Sequence, residues 1–118
     1  MRILVVDDEE TMRALIQLWL AKLGWETVLT GNDDEALKQY RNHGPFDAVL
    51  TDFIHPGIGG LKLCKIIRKQ NHKQVIVAFT GAAPNCAREF GRLKIPVVSR
   101  PTDNMQEIID LISARPGI

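Results

Sequence analysis

Close to the N-terminus the chain reads Ile3-Leu4-Val5-Val6-Asp7-Asp8-Glu9-Glu10, four apolar residues followed directly by four acidic ones. Such an apolar run is typical of a β-strand that helices cover on both faces, because neither face can then be polar. The apolar residues that follow are spaced three and four apart: Met12, Leu15, Ile16, Trp19, Leu20 and Leu23. This spacing predicts the buried stripe of a helix that stops at Gly24.

The same alternation of strand and helix continues along the chain. We predict further strands at residues 26–30, 48–50, 75–79 and 97–99, and further helices at 33–42, 61–69, 85–93 and 104–114. The run Asn32-Asp33-Asp34 is the expected cap of the second helix, and Asn85 is the expected cap of the fourth. Five strand–helix units in succession imply a parallel sheet with right-handed crossovers and helices on both faces. We therefore predict an α/β fold in one domain that spans residues 1–118.

Composition and charge limit the classes of function. The chain has 118 residues, of which 45% are hydrophobic and 25% charged, so it can bury a core and is not a disordered tail. Fifteen Lys and Arg against 14 Asp and Glu provide no field that would attract nucleic acid or anionic membrane. The N-terminal apolar run is too short, and too soon followed by acidic residues, to be expected as a signal peptide, and no apolar stretch is long enough to span a bilayer. We expect a cytoplasmic protein in which Cys64 and Cys86 stay reduced.

Polar residues that can carry chemistry follow four of the predicted strands. Asp7 and Asp8 follow the first strand, Asp52 the third, Thr80 the fourth and Arg100 the fifth. In an open parallel sheet, ligands bind beyond the carboxyl ends of the strands. Crowded carboxylates favour Mg²⁺, and one of them can then act as a nucleophile toward phosphorus, with a hydroxyl and a cation holding the phosphoryl oxygens. The sequence predicts a magnesium-dependent phosphoryl site at this edge.

A structural alternative exists for the acidic run on its own. Asp8 can be the N-cap of the first helix, with Glu9 and Glu10 interacting favourably with the helix dipole. Arg100 can likewise form a static ion pair with one of the aspartates. The occurrence of such residues at four separate strand ends favours the functional interpretation.

The chain resembles a receiver domain of a bacterial two-component response regulator over essentially its whole length. The motifs that carry the resemblance are residues 3–9, 47–57, 77–81 and the pair Arg100-Pro101. The resemblance implies a flavodoxin-like, doubly wound (βα)5 fold with a five-stranded parallel sheet of order 2-1-3-4-5. It also implies a phosphoryl-accepting signalling switch that catalyses only its own phosphorylation and dephosphorylation and is not otherwise an enzyme.

The resemblance assigns roles to individual residues. It implies that Asp52 is the phosphoacceptor, and that Mg²⁺ is bound by Asp7, Asp8, Asp52 and the backbone carbonyl of Ile54. The Thr80 hydroxyl is expected to turn toward the phosphoryl group. The implied partners are a sensor histidine kinase or a histidine phosphotransfer protein as donor, and an output domain or partner protein, without direct nucleic-acid or membrane contact. The family also implies a homodimer face formed by the fourth helix, fifth strand and fifth helix.

Four positions depart from the family pattern. Arg100 stands where receivers carry Lys, and Val97 stands where they commonly carry Tyr or Phe. His55 replaces a usual Met, and Gly59 a frequent Asp. Arg and Lys are not equivalent at such a site, and Val has no ring to swing inward as the hydroxyl moves. These departures leave open a degenerate receiver that docks partners without being phosphorylated.

Two other functions are weighed against the receiver. Haloacid-dehalogenase-type phosphatases also use an Asp after the first strand, and residues 7–11 approach their acid-x-acid-x-Thr spacing. That family requires Asp where this chain has Glu9, and it usually has a cap domain that this length does not provide. Flavin binding follows from the fold alone and is weak, because an acidic pocket repels a flavin phosphate.

Overall fold

The computed structural model describes residues 1–52, 60–80, 88, 90–99 and 105–113, without the side chains of Thr80, Ser99 and Met105. Within these residues the strands are β1 (Arg2–Val6), β2 (Glu26–Thr30), β3 (Ala48–Thr51), β4 (Ile76–Thr80) and β5 (Val97–Ser99). The helices are α1 (Glu10–Ala21), α2 (Asp33–His43), α3 (Gly60–Gln70) and α4 (Met105–Ser113). The described helices include none with the length and apolar character needed to cross a membrane.

All strand pairs are parallel, and the strand order is β2-β1-β3-β4-β5. The predicted fold class and strand order are therefore confirmed. Strand bounds agree with the prediction to within one residue at each end, and α4 corresponds to the fifth predicted helix. Of the fourth predicted helix, residues 88 and 90–92 are helical, whereas its expected cap Asn85 lies outside the described residues.

Each face of the sheet carries its own apolar core, because successive strand residues point to opposite faces. Ile3 and Val5 face a core that α1 and α4 complete; its buried members include Ile16, Leu20, Leu50, Val77, Phe79, Val98, Ile108 and Ile112. Leu4 and Val6 face the opposite core, which includes Ala36, Leu37, Tyr40, Leu63, Cys64, Ile67 and Phe90. Helices therefore cover both faces of the sheet, as the apolar strand runs predict.

The buried stripe of α1 is narrower than its spacing predicts. Ile16 and Leu20 are buried, but Leu15 and Leu23 are 38% and 45% exposed, so the prediction that both face the core is wrong. Leu15 is a neighbour of Ile16 along the helix and points about 100° away from it. Leu23 lies beyond the last residue of α1, where the helical period no longer applies, and Gly24 follows with φ of +77°.

The start of α2 follows the prediction closely. The Asn32 side chain accepts a hydrogen bond from the Glu35 backbone N–H at 2.8 Å, which satisfies one of the free donors of the first turn. Ala36, Leu37 and Tyr40 are buried on the sheet side of the helix, as predicted. The cap and the apolar spacing therefore determine this element locally.

Gln74 connects three elements at the amino edge of the sheet, and sequence analysis did not identify it. The side chain is 3% exposed. Its Oε1 accepts hydrogen bonds from the Tyr40 hydroxyl (2.7 Å) and the Phe46 N–H (3.2 Å), and its Nε2 donates to the Phe46 carbonyl (2.8 Å). One amide side chain therefore links α2 to the segments that enter β3 and β4.

We expect Gln74→Leu to lower the free energy of unfolding by about 2–3 kcal/mol, because buried donors and acceptors lose their partners. Urea denaturation measures the change. Gln17→Leu, on the exposed side of α1, is the matched control and should stay within about 0.5 kcal/mol of the wild type. Equal effects of the two substitutions would contradict a structural role for the Gln74 amide.

Cys64 is a free thiol that is fully buried in α3, whereas Cys86 lies outside the described residues. Burial raises the pKa of the Cys64 thiol to about 12, and the nearby Arg68 guanidinium offsets only part of that rise. The unfolded chain binds fewer protons in the interval above the ordinary pKa of 9.0. This thiol therefore lowers stability as the pH rises from 9.0 toward about 12.

In a Cys86→Ser background at pH 8, we expect iodoacetamide to alkylate folded Cys64 about a thousandfold more slowly than the unfolded chain, because thiolate is the reactive form. Mass spectrometry with and without urea measures both rates. Rapid labelling of the folded domain would show that Cys64 is accessible.

Candidate functional site

Three aspartates meet at the carboxyl edge of the sheet. Asp7 and Asp8 follow β1, and Asp52 follows β3, its neighbour in the sheet. The last pair in this ladder is Val6 with Thr51, and the Asp52 N–H donates to the Val6 carbonyl at 2.9 Å. Carboxylate oxygens of the three aspartates lie within 4.8 Å of one another. The strand register therefore brings together acids that are 45 residues apart along the chain.

The three carboxylates differ in their exposure. Asp7 is 1% exposed and Asp52 is 7% exposed, whereas Asp8 is open to solvent. The carboxylates of Asp7 and Asp52 are thus buried, and that of Asp8 is in contact with solvent. Charged groups are expensive to bury unless a partner or a cation compensates them. The arrangement is suited to a bound cation that solvent can reach.

Several hydrogen bonds determine the conformation of the turn after β1. The Asp7 N–H donates to the Thr30 carbonyl at the end of β2 (3.0 Å), and its Oδ1 accepts from the Glu9 N–H (2.9 Å). The Asp7 carbonyl accepts from Nη1 of Arg13 on α1 (2.6 Å). Asp7 is therefore held through its amide, its carboxylate and its carbonyl.

Asp8 is not the N-cap of α1, so the structural alternative for this residue is wrong. The N-cap residue is Glu9, and its side chain makes no capping hydrogen bond. Glu10 lies in the first turn, where a negative charge interacts favourably with the helix dipole. Asp8 precedes the cap and contributes its carboxylate to the acidic cluster instead.

The donor set fits a hard divalent cation. Three carboxylates converge, and the cluster found among the described residues contains neither His nor Cys. Oxygen ligands of this kind suit Mg²⁺ or Ca²⁺, whereas Zn²⁺ and softer metals prefer nitrogen and sulfur. The residues present therefore fit the cation that the sequence predicts.

The other predicted site residues lie on the same edge or outside the described residues. Thr80 ends β4, and its backbone pairs with Ser99, the residue before Arg100. Thr51 of β3 pairs with Ala78 of β4, so Thr80 lies near the level of Asp52 along the sheet. The Thr80 side chain, Ile54 and Arg100 lie outside the described part of the chain, as do His55, Gly59 and residues 81–87.

Val97 is the first residue of β5 and pairs with Ala78. Its side chain is half-buried and packs against the core that contains Phe90 and Ile95. This position fits its interpretation as a packed strand residue.

Arg13 and Gly31 belong to the surroundings of the site, and sequence analysis identified neither. Arg13 reaches a backbone carbonyl, so no pattern of side-chain types along the sequence marks the contact. Gly31 follows β2 directly, and a Cβ added there would lie 3.1 Å from Arg13 Nη1. Its position after a strand is the one feature of the sequence that could have drawn attention to it.

Comparisons with known proteins agree with the fold. The response regulator protein TrrA from Thermotoga maritima, solved in complex with Mg²⁺-BeF, is 31% identical, with a TM-score of 0.84 and 96% of each chain covered. PhoP of Bacillus subtilis, an alkaline phosphatase synthesis transcriptional regulatory protein, is 36% identical over 69 residues. The autoinducer sensor kinase/phosphatase CqsS of Vibrio cholerae is 35% identical over 83 residues.

The matched region is a small part of the two curated relatives. It covers 58% of this chain but 28% of PhoP, and 68% of this chain but 12% of CqsS. The family model of the response regulator receiver domain matches residues 3–94, most of the chain. Together with the shared fold and the acidic cluster, this match shows that the chain belongs to the response regulator receiver domain family.

Proposed function

We propose that residues 1–118 form a single receiver domain in which Asp52 accepts a phosphoryl group. The observation that supports this most directly is the convergence of Asp7, Asp8 and Asp52 within 4.8 Å. Asp52 is nearly buried, and its backbone is bonded to β1, so its carboxylate has a defined position. A positioned carboxylate is the nucleophile that such a transfer requires.

Asp7, Asp8, Asp52 and the Ile54 carbonyl are the proposed ligands of Mg²⁺. When bound, Mg²⁺ supplies positive charge that offsets the clustered carboxylates and the phosphoryl oxygens. The exposure of Asp8 supports a site that keeps water ligands, as Mg²⁺ commonly does. The burial of Asp7 supports a role in holding the acidic cluster as well as binding.

The proposed reaction moves phosphorus from nitrogen to oxygen. The Asp52 carboxylate oxygen forms a bond to phosphorus as the bond to a donor phosphohistidine nitrogen breaks, and the released imidazole takes a proton from water. The Thr80 hydroxyl and the Arg100 guanidinium are the proposed partners of the phosphoryl oxygens. Arg100 replaces the compact ammonium of Lys with a planar, permanently charged fork, which still neutralises the transferred charge.

Receiver domains of response regulators are signalling switches rather than classical enzymes, and they work with sensor kinases and output domains. For this chain we propose a cytoplasmic receiver whose donor is a sensor histidine kinase or a histidine phosphotransfer protein. An output domain or a partner protein reads the phosphorylated state, and the receiver itself catalyses no other reaction. The homodimer face implied by the family stays a prediction.

The acidic cluster, the part of the site that the structure describes, does not favour the competing functions. A docking module that is not phosphorylated has no need of two buried acids and a third at the mouth of one cation-sized cluster. A phosphatase of the haloacid-dehalogenase type requires Asp at the position where this chain has Glu9. The departure at Arg100 bears on how efficiently Asp52 is phosphorylated, and the departure at Val97 on how strongly phosphorylation is transmitted.

We expect acetyl phosphate and Mg²⁺ to add roughly 80 Da, one phosphoryl group, to the wild-type chain and nothing to Asp52→Asn. Intact-protein mass spectrometry measures the gain. Asp34→Asn, an exposed acid in the first turn of α2, is the matched control and should be phosphorylated like the wild type. Phosphorylation that persists in Asp52→Asn would contradict the proposal.

We expect Asp8→Asn to weaken Mg²⁺ binding at least about tenfold, because one anionic ligand of the cluster is lost. Calorimetric titration measures the affinity directly. Mg²⁺ should also raise the melting temperature of the wild type much more than that of the variant, since a ligand that binds the folded state stabilises it. Equal affinity and equal melting shifts would remove Asp8 from the ligand set.

A further inference from the structure

Arg13 lies beside the acidic cluster but is not among the residues that the family resemblance assigns to it. The side chain is half-buried near the start of α1. Its Nη1 donates to the Asp7 carbonyl oxygen at 2.6 Å, a short bond of the kind that charged donors form. A guanidinium is thus held against the main chain of the turn that carries two of the three acids.

A hydrogen bond to the Asp7 carbonyl affects the relative orientation of Asp7 and Asp8. It belongs to the peptide unit that joins Asp7 to Asp8, and a peptide unit is planar. Fixing this carbonyl therefore restricts the direction in which the chain leaves the buried Asp7 toward the exposed Asp8. The Thr30 carbonyl and the Glu9 N–H hold other atoms of Asp7, but Arg13 holds the peptide unit between the two acids.

Gly31 provides an independent indication that the Arg13 position matters. A Cβ built on Gly31 would lie 3.1 Å from Arg13 Nη1 and 3.7 Å from its Cζ, and the described chain offers it no other atom within 4 Å. The backbone of Gly31 is outside the positive-φ range, so alanine causes no strain there. A side chain at this position therefore requires the guanidinium to move by a few tenths of an ångström, away from the position in which it bonds the Asp7 carbonyl.

We propose that Arg13 is a positioning residue for the magnesium site, acting through the Asp7 carbonyl, and that Gly31 leaves the space its guanidinium occupies. This inference rests on the proposed function, since it concerns the cation that the three aspartates bind. Arg13 orients the Asp7–Asp8 peptide unit so that both carboxylates face Asp52. Arg13 itself contributes no ligand atom.

The direction in which Mg²⁺ affinity changes when Arg13 is replaced distinguishes a positioning role from a simple charge effect. A guanidinium near the cluster repels a divalent cation, so removal of its charge alone would strengthen Mg²⁺ binding. Loss of the hydrogen bond disorders the Asp7–Asp8 peptide unit and weakens binding. The proposal requires the second effect to exceed the first.

The first experiment measures the Mg²⁺ affinity of Arg13→Met and Arg13→Lys by calorimetric titration. We expect Arg13→Met to bind about tenfold more weakly, the scale found when groups that orient metal ligands are removed. Arg13→Lys keeps the charge and one donor group and should recover part of the loss. Lys22→Met, which removes a positive charge at the other end of α1, is the control and should bind like the wild type.

The second experiment uses Gly31→Ala in two backgrounds. In the wild-type background it should weaken Mg²⁺ binding about threefold, whereas in Arg13→Met it should have no effect, because the atom that the new methyl group meets is gone. In both Arg13→Met and Gly31→Ala, amide exchange of Glu9 without Mg²⁺ should be faster than in the wild type, since its N–H bonds to Asp7 Oδ1. This last measurement does not depend on the metal.

The outcomes separate the inference from the proposed function. Unchanged or tighter binding by Arg13→Met, or equal effects of Gly31→Ala in both backgrounds, overturns the positioning role while the wild-type domain still binds Mg²⁺. A wild-type domain that binds no Mg²⁺ overturns the proposed site and this inference with it. Weaker binding by Arg13→Met, partial recovery by Arg13→Lys and a background-dependent Gly31→Ala support both.

Discussion

The parallel pairing of β1 with β3 is the constraint on which the site depends. Parallel strands end at the same edge, and the hydrogen bond from the Asp52 N–H to the Val6 carbonyl holds the two strand ends level. A one-residue slip of this register would turn every β3 side chain to the opposite face and carry Asp52 away from Asp7. Val49 of β3 packs in one core and Ala48 and Leu50 pack in the other, so such a slip would place side chains of the wrong size in both close-packed cores.

The two edges of the sheet serve opposite purposes. At the amino edge, the Gln74 amide satisfies the polar groups of Tyr40 and Phe46 in a buried network. At the carboxyl edge, like charges are brought together at a cost in electrostatic repulsion. The Gln74 network at the amino edge and the tightly packed strands stabilise the fold. This stability allows the carboxyl edge to hold three clustered carboxylates, which would repel one another without that support. The groups that stabilise the fold and the groups of the candidate site thus lie at opposite ends of the strands.

Local patterns predicted most of the fold and part of the site. The Asn32 cap and the spacing of Ala36, Leu37 and Tyr40 determine α2 through contacts within a few residues. The same approach was wrong for Leu15 and for the alternative of Asp8 as a cap, because the surroundings of a helix decide which flank is covered and where its first turn begins. Gln74 and Arg13 were missed because each bonds main-chain groups of segments that are distant or irregular.

The sequence alone determined the order of strands and helices, the two-sided burial of the strands, and the acids that follow β1 and β3, since these depend on residue type and on periods of two and 3.6. The tertiary structure decided which acids meet, how deeply each is buried, and how Arg13 and Gly31 surround the Asp7 peptide unit. Distances between groups far apart in the chain arise from strand register and packing. Only the folded chain therefore determines these distances.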